Sequence, residues 1–354
     1  MKKRPSIALT EPGFAIFQNP KNTLMNPSSL LPFSLAPFAC LFVVVFGLSE
    51  NTIAQENRPL KIFILAGQSN MQGQGVVDLD DQKDYNGGKG NLVWSIGQSA
   101  SKDMMRHLQD ADGNWVERED VFVRYQTENE LKTGGLTIGY SGYSGRHHIG
   151  LELQFGHVVG DYFEQPVLLV KTCWGGKSLF KDFRPPSADG ETGEYYLKMV
   201  AETREALDRV GEDFPQLKPV GHEIAGFVWM QGWNDMIDQG ATAEYAANLV
   251  HLVQDVRAEF ELPNLPVVIG ELGNGGDPPF GEKGEGQMLK FRRQQRLGAE
   301  QIENARFVIT HEFARPAELS PNVGHGHHWF GNAESYFLVG DALGKAMIDL
   351  FRGK

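Results

Sequence analysis

The feature that most limits the fold is an alternation. Short apolar runs rich in β-branched residues recur at 61–66, 121–125, 166–172 ("PVLLVKT"), 224–230 ("IAGFVWM"), 266–271 and 306–310. Most are continuous rather than alternating, as strands are when both faces of a parallel sheet are covered. Helical patterns lie between them. In "TAEYAANLVHLVQDVRAEF" the residues Tyr245, Leu249, Leu252, Val253, Val256 and Phe260 share one face, with Thr242 as the expected N-cap. The last helix is expected from Asn332, its cap, with a stripe of Tyr336, Val339, Leu343, Met347 and Leu350. Strand and helix in alternation predict an α/β protein: a three-layer α/β/α doubly wound sandwich on a mostly parallel sheet of about five strands. In such sheets ligands bind at the carboxyl ends of the strands.

The first 54 residues differ from the rest. A basic start ("MKKRPS") and twenty uncharged residues, 29–48, precede a polar stretch, the order of a secretory signal. Thr52 and Ala54 suit the −3 and −1 positions of a cut after Ala54. An uncleaved N-terminal anchor is the alternative, disfavoured because Pro32 and Pro37 make a poor spanning helix. Bulky Phe38, just before Cys40, argues against a lipidated cysteine. The expected location is therefore secreted or periplasmic, with no stable membrane insertion once the signal is removed.

Residues 55–354 form the remaining domain. The leader carries four basic and two acidic residues, so this part has a formal charge of −14 against −12 for the whole chain. Such an acidic surface argues against nucleic acid as a partner. Cys173 is its single cysteine, so no internal disulfide can hold it and a buried core must. Residues 76–150, rich in Gly, Asp and Asn ("DLDDQKDYNGGKGN", "KTGGLTIGYSGYSGRHH"), read as a loop-rich insertion near the site.

Polar motifs follow three of the runs: "GQSNM" at 67–71, "CWGGKSL" at 173–179 and "QGWND" at 231–235. A fourth, "GHGHHWFGNAE", stands before the last helix and carries His325, His327 and His328. Ester hydrolysis needs a nucleophile, a base and donors for the oxyanion. Ser69 can attack, an imidazole can take its proton, and a glycine N–H with an asparagine amide can hold the oxyanion. Asn234-Asp235 read as a helix cap is the plainer alternative. The H-x-H-H cluster lacks zinc-ligand spacing, so no metal and no cofactor are expected. Trp229, Trp233 and Trp329 read equally as core residues or as platforms for sugar rings. His147-His148 reads as a surface pair or a substrate contact rather than a metal ligand, and Cys173 as a buried structural thiol.

In this order the four blocks resemble the SGNH (GDSL-type) hydrolases, and more narrowly the sialate O-acetylesterase-like branch, carbohydrate esterase family 6. The likeness runs over roughly residues 60 to 352. It implies an SGNH-type fold, Ser69 as nucleophile, and an oxyanion hole of Asn234, the Ser69 N–H and Gly176, with Gly175 as the alternative glycine. The base is His328, twelve residues before Gly340. Gln68, Gln231 and Trp233 are the candidate substrate contacts. Relatives often carry Asp three residues before the catalytic His, where this chain has His325. The acid is then Glu271, Glu312 or a backbone carbonyl. Met71 stands where the G-x-S-x-G elbow of α/β-hydrolases has its second glycine, so that fold is not implied.

The resulting expectation is a secreted serine esterase removing O-acetyl groups from sialic acid or an acetylated polysaccharide such as xylan. A lipase, thioesterase or arylesterase of the same superfamily is one alternative. A non-catalytic glycan-binding protein on this scaffold is another.

Overall fold

In a computed structural model, the structure describes residues 59–217, 221–282 and 286–353. The proposed signal segment and its 54/55 cut lie outside these residues. The chain runs β1 (Leu60–Gly67), α1 (Ser69–Gln72), β2 (Gly75–Val76), α2 (Leu92–Gln98), α3 (Lys102–Met105), β3 (Val121–Gln126) and β4 (Leu131–Gly135). It continues through β5 (His148–Ile149), α4 (Glu152–Tyr162), β6 (Val167–Cys173), α5 (Glu194–Asp208), α6 (Val210–Asp213) and β7 (His222–Met230). The last part is α7 (Trp233–Met236), α8 (Gln239–Glu259), β8 (Val267–Gly270), α9 (Gln287–Ala299), β9 (Ala305–Val308) and α10 (Ala333–Arg352).

The main sheet has seven strands rather than five, in the order β4-β3-β6-β1-β7-β8-β9. Six of them are the six apolar runs, and all their pairings are parallel. The seventh, β4, lies antiparallel on β3 at the edge. Its sequence, LKTGG, is partly exposed and carries no apolar run, so hydrophobic pattern could not reveal it. Residues 76–150 are accordingly more than an insertion of loops: they hold α2, α3 and β5, and β3 and β4 extend the main sheet.

Strand β1 lies at the centre, and its apolar residues are buried on both faces. Phe63 and Leu65 pack with Leu153, Phe155 and Val159 of α4 and with Tyr336, Val339 and Leu343 of α10. Ile64 and Ala66 point the other way, against Tyr196 and Met199 of α5, Tyr245 and Leu249 of α8, and Phe291 of α9. These are the three layers. The α10 cap is the expected one, Asn332 accepting from the Ser335 N–H at 3.1 Å. Helix α8 instead starts earlier and is capped by Asp238, which accepts from the Ala241 N–H at 2.9 Å. The Thr242 hydroxyl donates to the Asp235 carbonyl.

One charge pair is sealed inside. Lys171 on β6 and Glu152 on α4 meet at 2.7 Å with neither side chain exposed. The same ammonium donates to the carbonyls of Tyr140 (2.6 Å) and Gln72 (3.1 Å), so it joins the end of α1 to the 136–147 loop. Removing one partner of a buried pair leaves an uncompensated charge, at about 3–5 kcal/mol. Lys171→Met is therefore expected to lower unfolding stability by about that much, and Lys171→Met with Glu152→Gln to recover part of it. Urea denaturation of the three proteins checks this; an unchanged midpoint in the single variant would refute the tether.

Candidate active site

Register brings the motifs together. Gly67, the last residue of β1, pairs with Cys173 at the end of β6 and with Met230 at the end of β7. The residues that follow each strand therefore leave the sheet side by side. Backbone bonds hold them there: Trp174 N–H donates to Gly67 O at 3.1 Å, and Gln68 N–H to Met230 O at 3.2 Å. A Cβ on Gly67 would stand 2.1 Å from that Met230 oxygen, so only glycine fits.

Ser69 opens α1 and is largely buried, yet its hydroxyl oxygen is neither hydrogen-bonded among the described residues nor sealed from solvent. Of the two glycines in the second motif, Gly175 is the one beside it. A Cβ built there would lie 3.8 Å from Ser69 Cβ and 2.9 Å from Gln72 Oε1, whereas one on Gly176 meets nothing within 4 Å. Gly175 is thus the nearer of the two to Ser69, while Gly176 borders open space.

The residues flanking Ser69 reach in different directions. Gln68 Nε2 donates to Asn234 Oδ1 at 3.1 Å, while its Oε1 accepts from Gly232 N–H at 3.0 Å and from Gln231 Nε2 at 3.1 Å. Asn70 Nδ2 donates to the His327 carbonyl at 3.1 Å, and its Oδ1 accepts from Tyr336 O–H at 2.7 Å. Helix α1 is thus tied to the Asn234 loop on one side and to the histidine loop and α10 on the other.

Gln68 and Gln231, expected to contact substrate, are each only 2 % exposed. Gln231 is further occupied by the Lys177 carbonyl, the Asp235 carboxylate and Tyr245 O–H. Both are buried and bonded inside the protein, which leaves them little surface for the substrate contact expected from the sequence. Trp229 and Trp329 are core residues; Trp233 alone of the three stays half-buried, 5.4 Å from the His327 ring and edge-on to exposed Phe280.

Asp235 is fully buried and caps no helix of its own. Its carboxylate accepts from the N–H groups of Leu179 (2.9 Å) and Phe180 (2.8 Å), latching the second motif onto the third. Burial pushes its pKa up to about 6 against the opposing hydrogen bond from Gln231.

The three histidine rings cluster, with His327 and His328 centroids 4.0 Å apart and His325 outermost and exposed. Burial first, then His327 and His325, pushes His328 down to about 3. Its Nδ1 is buried without a partner. Glu271, a candidate acid, is committed elsewhere: its Oε2 meets His311 Nδ1 at 2.7 Å and accepts from the N–H groups of Thr310 and His311. Glu312 stands in the one-turn helix beside His311. No group of three His, Cys, Asp or Glu among the described residues is arranged to hold a metal ion.

The bonding roles of Asn70, Tyr336 and Asp235 and the pairing of Glu271 with His311 escaped the sequence reading, although Asp235 stood in the third motif, Tyr336 in the apolar stripe and Glu271 among the candidate acids. Asn70 had a signal, its adjacency to Ser69.

The sequence model of the family described as carbohydrate esterase, sialic acid-specific acetylesterase, matches residues 59–349, and the chain belongs to that family. A probable carbohydrate esterase of Arabidopsis thaliana, At4g34215, is 27 % identical over 225 residues, covering 62 % of this chain and 71 % of that protein. The solved structure of the Arabidopsis protein has a TM-score of 0.51 at 18 % identity over 82 % of this chain and 98 % of its own. That of NanS has 0.51 at 13 % identity, over 84 % and 99 %. XAC1771 of Xanthomonas citri, described as a carbohydrate acetylesterase, has 0.50 at 15 % identity, over 83 % and 56 %. At these identities the structural likenesses establish the SGNH-type fold alone. Family membership makes the chain an esterase of the carbohydrate acetylesterase class, against the glycan-binding alternative.

Asn70→Ala tests the tie between serine and histidine loop. It removes the short acceptor of the buried Tyr336 hydroxyl and leaves it only the His328 carbonyl at 3.4 Å, at about 0.5–1.5 kcal/mol of stability. It should also lower kcat on an aryl acetate by up to about 10²-fold, the cost of roughly 1 Å of misplacement. An unchanged kcat would show that the Asn70 bridge does not position the loop.

Proposed function

We propose that the protein is a secreted serine esterase that removes O-acetyl groups from a carbohydrate. The observation that carries this reading is the convergence at Gly67, which sets Ser69 beside Gly175 and, through Gln68, beside Asn234. In the reaction Ser69 Oγ attacks the acetyl carbonyl carbon while the His328 imidazole takes the seryl proton. The oxyanion is held by the Ser69 and Gly175 N–H groups and by Asn234 Nδ2. Collapse breaks the ester bond, and the imidazolium proton passes to the departing sugar oxygen. Water, deprotonated by the same imidazole, then attacks the acetyl-serine and releases acetate. No step calls for a cofactor.

Half-buried Trp233, next to Asn234 and beside exposed Phe280, suits a sugar ring at the rim more than a long acyl chain. The substrate is accordingly an acetylated sugar, sialic acid or a polysaccharide such as xylan. The leader at 1–54, cleaved after Ala54, is proposed to carry the enzyme out of the cytoplasm. No helix among the described residues is long and apolar enough to cross a membrane.

Ser69→Ala should abolish acetate release from acetylated glycans while the thermal melt stays intact, apart from residual catalysis by the oxyanion donors. Near-normal turnover in the folded variant would refute the assignment.

The pH profile separates the histidines. Burial penalises the charged imidazolium, so His328, with its pKa down to about 3, stays a neutral base into acid solution. The acid limb of kcat/KM should therefore fall well below about 6.5, the ordinary imidazole value. A limb near that value that persists in Asp235→Asn would refute His328 as the base.

A further inference from the structure

Carboxamide groups have two ends of opposite hydrogen-bonding sense, and which end faces where must follow from partners of fixed sense. Two backbone groups supply that reference here. The Gly232 N–H can only donate, and it meets Gln68 at 3.0 Å, so that end of Gln68 is Oε1. The Lys177 carbonyl can only accept, and it meets Gln231 at 3.0 Å. That end of Gln231 is therefore Nε2, and it lies 3.1 Å from the same Gln68 oxygen. Both references give one orientation. The other end of Gln68 is then Nε2, and its 3.1 Å contact with Asn234 must be to Oδ1. Asn234 Nδ2 is left turned away from Gln68, without a partner among the described residues and not sealed from solvent.

We infer that Gln68 is the positioning residue of the oxyanion hole. It passes the fixed polarity of the Gly232 peptide to the Asn234 side chain, so that Asn234 presents N–H rather than C=O to the acyl oxygen. The inference rests on Asn234 being an oxyanion donor, as proposed above. Its energetic sense is simple. A freely turning carboxamide offers its oxygen to the developing anion as readily as its nitrogen, and the wrong end repels; a carboxamide held beforehand needs no reorganisation during reaction. Gln68 is 2 % exposed and reaches substrate only through Asn234.

Two substitutions at Gln68 and one at Asn234 test this, with melting curves confirming that each protein folds. In Gln68→Glu the oxygen facing Gly232 is retained, but an ionised second oxygen can only accept, and Asn234 must flip to donate to it. Its carbonyl then faces the acyl oxygen, and kcat at neutral pH should fall at least as far as the about 10²–10³ expected for Asn234→Ala, with KM nearly unchanged. When the new carboxyl is protonated, its O–H restores the donation to Asn234 Oδ1. Activity of Gln68→Glu should therefore recover as pH falls through that pKa, raised by burial, a limb that the unmodified protein lacks.

Gln68→Met removes the hold without adding charge and should lower kcat by about ten-fold, a loss that vanishes in the Asn234→Ala background because the two residues act as one unit. If Asn234→Ala lowers kcat but the Gln68→Met loss persists in full on top of it, Gln68 does not act through Asn234 and the inference falls while the oxyanion reading stands. If Asn234→Ala leaves kcat unchanged, the oxyanion reading falls and takes the inference with it. Should Gln68→Glu fail to fold, the Gln68→Met comparison decides alone.

Discussion

Everything at this site depends on one close approach. The end of β1 comes so near β7 that Gly67 has no room for a side chain beneath Met230 O, while the same residue pairs across β6 with Cys173. A sheet built of continuous apolar strands, covered on both faces, holds its strand ends at one level. The polar segments that follow those ends are then forced into a common space. The catalytic groups proposed here come from segments far apart in sequence, and it is the register of three parallel strands that makes them neighbours.

Beneath that space lies a polar network rather than an apolar floor. Gln68, Gln231, Asp235 and Tyr245 are buried and joined to one another, and Asp235 takes up the free N–H groups of the neighbouring loop. Buried polar groups are costly when unpaired and rigid when fully paired. Here the pairing converts floppy loops into a fixed scaffold: Asp235 holds the Gly175 loop, Gln68 holds Asn234, and Asn70 holds the histidine loop. In the proposed mechanism the residues on either side of Ser69 serve opposite halves of the reaction, charge stabilisation on one side and proton transfer on the other.

The histidine cluster departs from the usual triad. Glu271 is used by His311, and His328 Nδ1 faces no acceptor. A neutral imidazole buried beside two others is disfavoured as a cation, and no carboxylate offsets this. In the proposed mechanism the orientation of the ring falls to the loop itself, held by the Asn70 bond to the His327 carbonyl and the Tyr336 contact with the His328 carbonyl.

Much of this was legible in the residues alone. Six of the seven main-sheet strands, the α10 cap at Asn332 and the apolar stripe of α10 follow from local periodicity, because burial writes itself into neighbouring residues. The motif order pointed to Ser69, Asn234 and the histidine loop for the same reason, as each motif is a short contiguous string. What the sequence could not determine were relations set at long range: the edge strand β4, whose pairing needs no apolar run; the glycine that stands beside the serine; the commitment of Glu271 to His311. The roles of Gln68 and Asn70 belong here too, since their partners Asn234 and Tyr336 lie 166 and 266 residues away along the chain. A carboxamide has no pattern of its own, and only the folded sheet decides which donor and which acceptor it meets.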